Sequence, residues 1–547
     1  MPRSVRVLAT LACCVLVPLA GAQPVPGPAV AQAETAFLDY LDALGAVGYI
    51  ESGGVQTFTG QDLAAWRERL DAQRAPLAAA LDRAAGTAGL AAADRDAITA
   101  MRKTLGELAE DDTTAGKRAY ACSDAQRRDL DYSALRAALV SCYVEHGNRM
   151  AYAGGTIDRG TALQLLHVTD SAAQRRAIFD AFLPLWSALN GRNEPDSPYR
   201  RLIAQAAADA RLHGSQVDAA ANAIGVSTAD VERWLVQVLE AWRDANPATP
   251  VEPWDFRYVN GAANRELQAR IPASVLLPVN QRFYAELGAD LTALGVKFDL
   301  ESRPDKSPLA YTDFVTRGRE VNGRWQRPIP RVLGTYPEGG LFSLNELVHE
   351  NGHAVHVAAI QTRPAYMDWP DTLFTEAFAD VPSWSVHEPV WQQRYLGTAI
   401  AESVSMRALF ANVMLDVAWS LFELRMLQAP QTDPNALWTS ITHDYLRIVP
   451  HPEVPWWAMR VQLAGNPGYM VNYGLGAVLT AEMRAATSAG IGAFDAGNPR
   501  WYGWLSERLL QFGSSRDSRQ LMQSLLGRSV SPAALLAQVR RCGTQAP

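Results

Sequence analysis

The chain has 547 residues, of which 48% are hydrophobic and 20% are charged. This composition is typical of a globular protein with an extensive core and argues against a disordered chain. The formal net charge is −7, and this acidic balance argues against nucleic acid as a partner.

The N-terminus carries the pattern of a secretory signal. Arg3 and Arg6 precede an apolar run over residues 7–19, and Ala-Gly-Ala at 20–22 matches an A-x-A cleavage site. We therefore predict that residues 1–22 are a signal peptide and that the mature protein is periplasmic or secreted. Its removal would change the net charge from −7 to −9. The apolar run is too short for a permanent membrane helix and no later segment suggests one, so we expect no membrane span after signal removal.

Three cysteines remain outside the predicted signal peptide: Cys122, Cys142 and Cys542. In an oxidising compartment Cys122 and Cys142, which flank one helix-like stretch, form a reasonable disulfide. Cys542 would then be the odd cysteine near the C-terminus. The sequence alone leaves this pairing open.

Helical periodicity dominates the rest of the chain and predicts a large, mostly α-helical protein with minor β structure. Residues 23–34 are proline-rich and predict a flexible lead-in. A long helix is expected over Thr228–Asn246 with Ser227 as its cap. The proline-rich stretch 246–253 is the strongest linker, so we divide the body into a helical N-terminal lobe, 35–250, and a second part, 251–547.

A strand and a helix are predicted in succession within this second part. Arg331–Tyr336 is β-prone, and Gly339-Gly340 then breaks the chain. Ser343 and Glu346 form a capping-box pattern, which predicts a helix from Leu344 to about Ile360.

This helix carries the pattern of a zinc site. His349 and His353 are four residues apart, so both imidazoles lie on one helix face and can bind one metal ion. Glu350 follows the first histidine and is predicted to be the general base. Glu376, on a second apolar helix, is our candidate third ligand, because a bare carboxylate there would be costly. Asp380 follows on the same face, placed to accept the free N–H of a ligating imidazole.

A His-Glu-x-x-His pattern alone is short enough to arise by chance on a solvated helix face. The helix signals, the second acidic helix and the export signal together favour one catalytic Zn²⁺ per chain. A less favoured alternative is an exported, non-catalytic binding protein with a structural zinc ion. Glu350 argues against it, because a structural site does not need a base.

The run His349-Glu350-Asn351-Gly352-His353-Ala354-Val355-His356 resembles the His-Glu-x-Gly-His-x-x-His signature of the thimet oligopeptidase and oligopeptidase F family. Glu376 to Asp380 is also similar to angiotensin-converting enzyme and thermolysin, within the gluzincin superfamily. The resemblance implies a two-lobed helical ellipsoid with a deep channel, zinc at its floor and oligopeptide substrates. It also implies that Arg331–Tyr336 pairs with the substrate backbone, although a plain structural edge strand is nearly as well supported.

A later segment, residues 466–476, is rich in glycine and tyrosine and resembles the part of the same family that supplies transition-state tyrosines. Tyr473 is the first candidate to stabilise the oxyanion and Tyr469 the second. The alternative is that the two rings only pack together at helical spacing. The family usually has a histidine shortly before these tyrosines. Here either His451 reaches the site through an altered loop or Arg460 takes over this substrate-positioning role.

Together these features predict a zinc metallopeptidase that hydrolyses oligopeptides with Glu350 as general base. Within the same superfamily, a peptidyl-dipeptidase or a carboxypeptidase is the alternative. A basic residue that binds the C-terminal carboxylate of the substrate would favour that alternative. His356 is assigned a structural role, because the two preceding histidines already occupy the metal-facing turns.

Overall fold

The computed structural model describes residues 26–115, 120–246, 249–303, 306–307 and 310–543. The predicted signal peptide, residues 1–22, lies outside the described residues. Within them the prediction of a mostly α-helical protein with minor β structure is confirmed. Short 3-10 turns connect several of the helices.

The first part of the chain forms ten helices within its described residues. They are α1 Pro28–Glu51, α2 Leu63–Ala85, α3 Ala92–Ala115, α4 Tyr132–Gly147, α5 Arg159–Val168, α6 Ala172–Asp180, α7 Leu183–Asn190, α8 Pro198–His213, α9 Gln216–Ala223 and α10 Thr228–Ala245. The Ser227 side chain accepts the N–H of Asp230, so the predicted cap of α10 is confirmed.

The second part carries the remaining described helices. They are α11 Phe256–Asn260, α12 Ala262–Gln268, α13 Ala273–Glu286, α14 Gly340–Ala359, α15 Thr372–Ser383, α16 Pro389–Leu396, α17 Glu402–Gln428, α18 Pro434–Leu446, α19 Gln462–Gly465, α20 Val471–Ile491, α21 Trp501–Arg508, α22 Ser518–Leu526 and α23 Ala533–Arg540.

The described strands are short: β1 Met150–Tyr152, β2 Gly155–Ile157, β3 Lys297–Asp299, β4 Tyr311–Thr316, β5 Arg319–Val321, β6 Arg324–Gln326 and β7 Ile329–Leu333. β1 pairs with β2 and β5 with β6, while β3, β7 and β4 form a sheet in that order. β7 is parallel to β3 and antiparallel to β4. Both edges of β7 are therefore occupied, so the expectation that this strand pairs with substrate is wrong. The edge strand beside α14 is β4.

Two local predictions are also wrong. The lead-in 23–34 is not flexible throughout, because α1 begins at Pro28, where a proline is compatible with a first helical turn. The capping box at Ser343 is absent: α14 begins at Gly340, with Gly339 as its N-cap at φ 63°. This left-handed conformation suits glycine, so the chain turns into the helix without a side-chain cap.

One hydrophobic core extends from Cys122 to Cys542 and includes residues on both sides of position 250. A second core joins α1, α2 and α3. Val251, in the predicted linker, pairs with Ile448 in a parallel bridge, so this segment packs against the second part of the chain. The division into two lobes stays a prediction. Cys122 and Cys142 form a disulfide, and Cys542 is buried with a free thiol.

Among the described helices, α17 is long and apolar enough to cross a membrane by length and composition alone. In its most apolar stretch, however, 72% of the residues are buried inside the protein. Such burial is also typical of the central helix of a globular core.

Candidate metal centre

The two helices with the predicted ligands, α14 and α15, pack closely because of a glycine. A Cβ atom on Gly352 would lie 2.7 Å from the Ala379 Cα atom, closer than van der Waals contact allows. Gly352 thus lets the backbones approach and places His349 and His353 opposite Glu376. On its other side α15 is held by α20, where the Thr480 hydroxyl donates to the Ala377 carbonyl.

The predicted ligands converge. The Nε2 atoms of His349 and His353 are 3.1 Å apart, and Glu376 Oε2 lies 3.5 Å from His349 Nε2. The other ring nitrogen of His349, Nδ1, is 2.7 Å from Asp380 Oδ1. Since a carboxylate can only accept, Nδ1 carries a proton, and Nε2 is the nitrogen that faces the centre of the group and can ligate when it is deprotonated.

This spacing fits a metal ion. Two nitrogen ligands at the Zn–N distance of about 2.0–2.1 Å and a tetrahedral angle are separated by about 3.3 Å. The observed 3.1 Å between the two Nε2 atoms is close to this value, so one metal ion bound by both rings would account for their arrangement. Two imidazoles and a carboxylate form a donor set suited to zinc.

Glu350 is a second acid close to the two histidines. One of its oxygens and one nitrogen from each ring lie within 4.8 Å of one another, so distance alone would also allow it as a ligand. The Thr312 hydroxyl donates to Glu350 Oε2 at 2.8 Å and fixes the carboxylate on the β4 side. We therefore favour Glu376 as the ligand and Glu350 as the base beside it.

The pKa values of the acid and of the histidines differ for clear reasons. Burial raises the pKa of Glu350 to about 7, where a carboxylate can both accept and return a proton near neutral pH. Burial lowers the pKa of His353 to about 3, so this ring is neutral and able to ligate. Burial also acts to lower the pKa of His349, but Asp380 and Glu376 outweigh it and raise the pKa well above its usual value.

The donor group lies in the wall of a cavity of about 1100 Å³. β4 contributes Tyr311 and Thr312 to this wall, and α3 contributes Lys103 and Glu107 on another side. The cavity is large enough for several residues of an extended peptide.

Tyr473 lines this cavity and its hydroxyl accepts a hydrogen bond of 3.1 Å from Gln462 Nε2. Its own proton is therefore available for a group in the cavity. The Tyr469 hydroxyl instead donates to Glu376 Oε1 at 3.2 Å. The two rings also pack edge to face with centroids 5.7 Å apart, so the packing role is present as well.

Of the two proposed substitutes for the family's histidine, only Arg460 is at the cavity. It lies in the cavity wall, with its guanidinium carbon 5.3 Å from the centre of the Tyr473 ring, and forms an ion pair with Asp416. The expectation that His451 reaches the site is wrong. Its nitrogens are held by Glu252 and Glu453, each at 2.7 Å.

His356 is completely buried and its ring packs edge to face against three aromatic rings, those of Trp369, Phe374 and Phe378. Burial lowers its pKa to about 3. The structure thus places it in the aromatic packing behind the helix, which agrees with a structural role.

Thr312, Gln462 and Glu423 are residues of this region that the sequence did not predict. Glu423 lies on α17, 1% exposed, and accepts the Met470 N–H at 2.8 Å at the start of the tyrosine segment. An acid inside the apolar run of α17 is unusual and could have indicated a buried role. No local pattern marks Thr312 or Gln462, because their partners lie 38 and 11 residues away and contact them only in the folded chain.

Burial raises the pKa of Glu423 to about 8 from a usual value of 4.5, so the folded protein holds a proton that the unfolded chain releases. As pH rises from about 5 to 8, the wild type should therefore lose stability relative to Glu423→Gln, which keeps the acceptor. The difference in unfolding free energy should grow by up to about 1.4 kcal/mol per pH unit. Thermal or urea unfolding of both proteins across this range measures it. The exposed substitution Glu68→Gln is the control, and a difference independent of pH would contradict the prediction.

The fold is similar to that of two solved enzymes. Metallocarboxypeptidase 1 of Trypanosoma cruzi matches with a TM-score of 0.56 and 14% identity, over 94% of this chain and 99% of that one. The M32 carboxypeptidase of Deinococcus radiodurans R1 matches with a TM-score of 0.51 and 15% identity, over 93% and 97%. No family model and no curated protein matches the sequence. At these identities the likeness concerns the fold.

Proposed function

We propose that this protein is a zinc metallopeptidase. The observation that carries the proposal is the convergence of His349, His353 and Glu376, with Glu350 beside them, in the wall of a cavity of peptide size. The similarity of the fold to two metallocarboxypeptidases supports it. The finer resemblance to thimet oligopeptidases stays a prediction.

His349, His353 and Glu376 would hold the zinc ion, whose Lewis acidity makes water a nucleophile near neutral pH and polarises a carbonyl group. Glu350 accepts the proton of the attacking water and returns it to the leaving amine. Thr312 orients the Glu350 carboxylate through its hydroxyl. Asp380 keeps His349 in the tautomer whose Nε2 faces the metal position.

Tyr473 is the better placed of the two tyrosines to donate to the oxyanion that forms on the scissile carbonyl. Gln462 occupies an acceptor site of its hydroxyl and leaves the proton free for the substrate. Tyr469 acts on Glu376 instead and supports the ligand. β4 is the outer strand of its sheet and contributes Tyr311 and Thr312 to the cavity wall, so its backbone could pair with an extended peptide, the role predicted from the sequence for Arg331–Tyr336.

A carboxypeptidase is the second candidate, and two observations favour it. Both similar structures are metallocarboxypeptidases. Arg460 brings a cation into the cavity wall next to Tyr473, where a free C-terminal carboxylate could bind. Asp416 already pairs with this arginine, so a substrate carboxylate would share it.

A library of short peptides tests both possibilities. The zinc-loaded protein should cleave peptides, a chelator should stop the reaction, and added zinc should restore it. Mass spectrometry of the products distinguishes internal cleavage from the loss of one or two C-terminal residues. For a carboxypeptidase, amidation of the C-terminus should abolish cleavage, whereas an oligopeptidase should tolerate it. Absence of zinc-dependent cleavage across the library would overturn the proposed function.

A further inference from the structure

Glu346 is an acid of the cavity that the proposed mechanism does not use. It lies on α14, three residues before His349 and four before Glu350, on the helix face that carries the metal-binding histidines. Its side chain lines the same cavity as those residues. One helical turn is about 5.4 Å, so Glu346 lies next to the place where a scissile bond would bind.

The other acids of the cavity wall outside the metal centre have partners. These are Glu107 with Lys103 at 3.7 Å, Asp368 with Arg317 at 3.3 Å, Asp416 with Arg460, and Asp371 with the Phe374 N–H and Ser518. Glu346 has no hydrogen bond and no ion pair with any residue in the described part of the chain. A group bound from outside the chain would therefore be the first partner of the Glu346 carboxylate.

The surroundings of Glu346 make this state costly for the protein alone. Its carboxylate is half buried in the cavity wall, and Glu350, a second acid, follows one helical turn later on the same helix. Two neighbouring carboxylates in a partly buried position repel each other. A cation bound in the cavity beside both of them would relieve this repulsion.

We infer that Glu346 determines specificity by binding a positively charged group of the peptide substrate, the ammonium or guanidinium of a residue next to the scissile bond. This inference rests on the proposed peptidase function. A lysine or arginine side chain and a free N-terminal amine share this chemistry. Each of these groups would form a charge-assisted hydrogen bond with the half-buried carboxylate of Glu346.

The test compares peptide pairs that differ by one charge. In each pair lysine or norleucine stands at one position flanking the scissile bond, and each peptide is made with a free and with an acetylated N-terminus. The wild type should prefer lysine in kcat/KM by about tenfold or more, at one of these positions. Glu346→Gln should bring this ratio close to one while it retains a full complement of zinc. If lysine and norleucine peptides are cleaved alike, but acetylation lowers kcat/KM in the wild type and not in Glu346→Gln, the bound group is the N-terminal amine.

Glu107→Gln is the matched control, since it removes the same charge from the α3 side of the cavity, where Lys103 is already the partner. Its lysine preference should equal that of the wild type. A wild type that cleaves both members of every pair equally well, with a free and with an acetylated N-terminus, would overturn the inference and leave the peptidase proposal intact. Equal losses for lysine and norleucine peptides in Glu346→Gln would also overturn it. A wild type that cleaves no peptide would instead refute the proposed function.

Discussion

Glu350→Gln is expected to retain zinc and to lower kcat for peptide hydrolysis by roughly 10²- to 10⁴-fold. The glutamine side chain has nearly the same size and can still accept the hydrogen bond from Thr312. It cannot take a proton from water, so the attack on the carbonyl and the protonation of the leaving amine both lose their catalyst. Because this base acts in the chemical step, we expect KM to change little.

The measurement is turnover of a quenched peptide together with the zinc content of the same sample. Glu338→Gln is a suitable control, because Glu338 is exposed and lies just before α14. Undiminished turnover in Glu350→Gln would remove the general base from the mechanism. Loss of zinc in this variant would show that Glu350 is a ligand, which its position within 4.8 Å of the histidine nitrogens would permit.

The sequence was informative wherever the relevant contacts are local. The spacing of His349 and His353 fixes their common helix face, and Glu376 and Asp380 share a face of α15 for the same reason. The cysteine pair and the Ser227 cap were also found from short-range patterns.

The wrong predictions concern features that depend on which helices and strands pack against one another in the fold. Strand order is one example: β7 looks like any strand in the sequence, and only the positions of β3 and β4 make it the central strand. Arg460 and His451 are another example, because the fold decides which of the two faces the cavity. The role of Gly352 cannot be predicted from its neighbours in sequence, because the absence of a side chain there makes room for the backbone of Ala379 on the next helix.

Glu376→Ala is expected to weaken zinc binding by a factor comparable with the loss of kcat in Glu350→Gln. Loss of a partner outside the ligand set typically costs about 10- to 100-fold in metal affinity, so loss of a direct ligand should cost more than about 100-fold. The protein should then lose zinc on dialysis against a zinc buffer that keeps the wild type loaded, and activity should fall in parallel. The alanine also frees the Tyr469 hydroxyl, which cannot replace a carboxylate as a ligand.

Asp380→Asn gives the matched comparison. It removes the charge behind His349 and keeps all three proposed ligands, so its loss of zinc affinity should stay within the smaller range of about 10- to 100-fold. Unchanged zinc occupancy in Glu376→Ala would show that another carboxylate is the third ligand. In that case Glu350 would be the third ligand, Glu376 would be the base, and Glu350→Gln would be the variant that loses zinc. Metal analysis of these variants therefore identifies the third ligand, because the two assignments predict opposite results for Glu350 and Glu376.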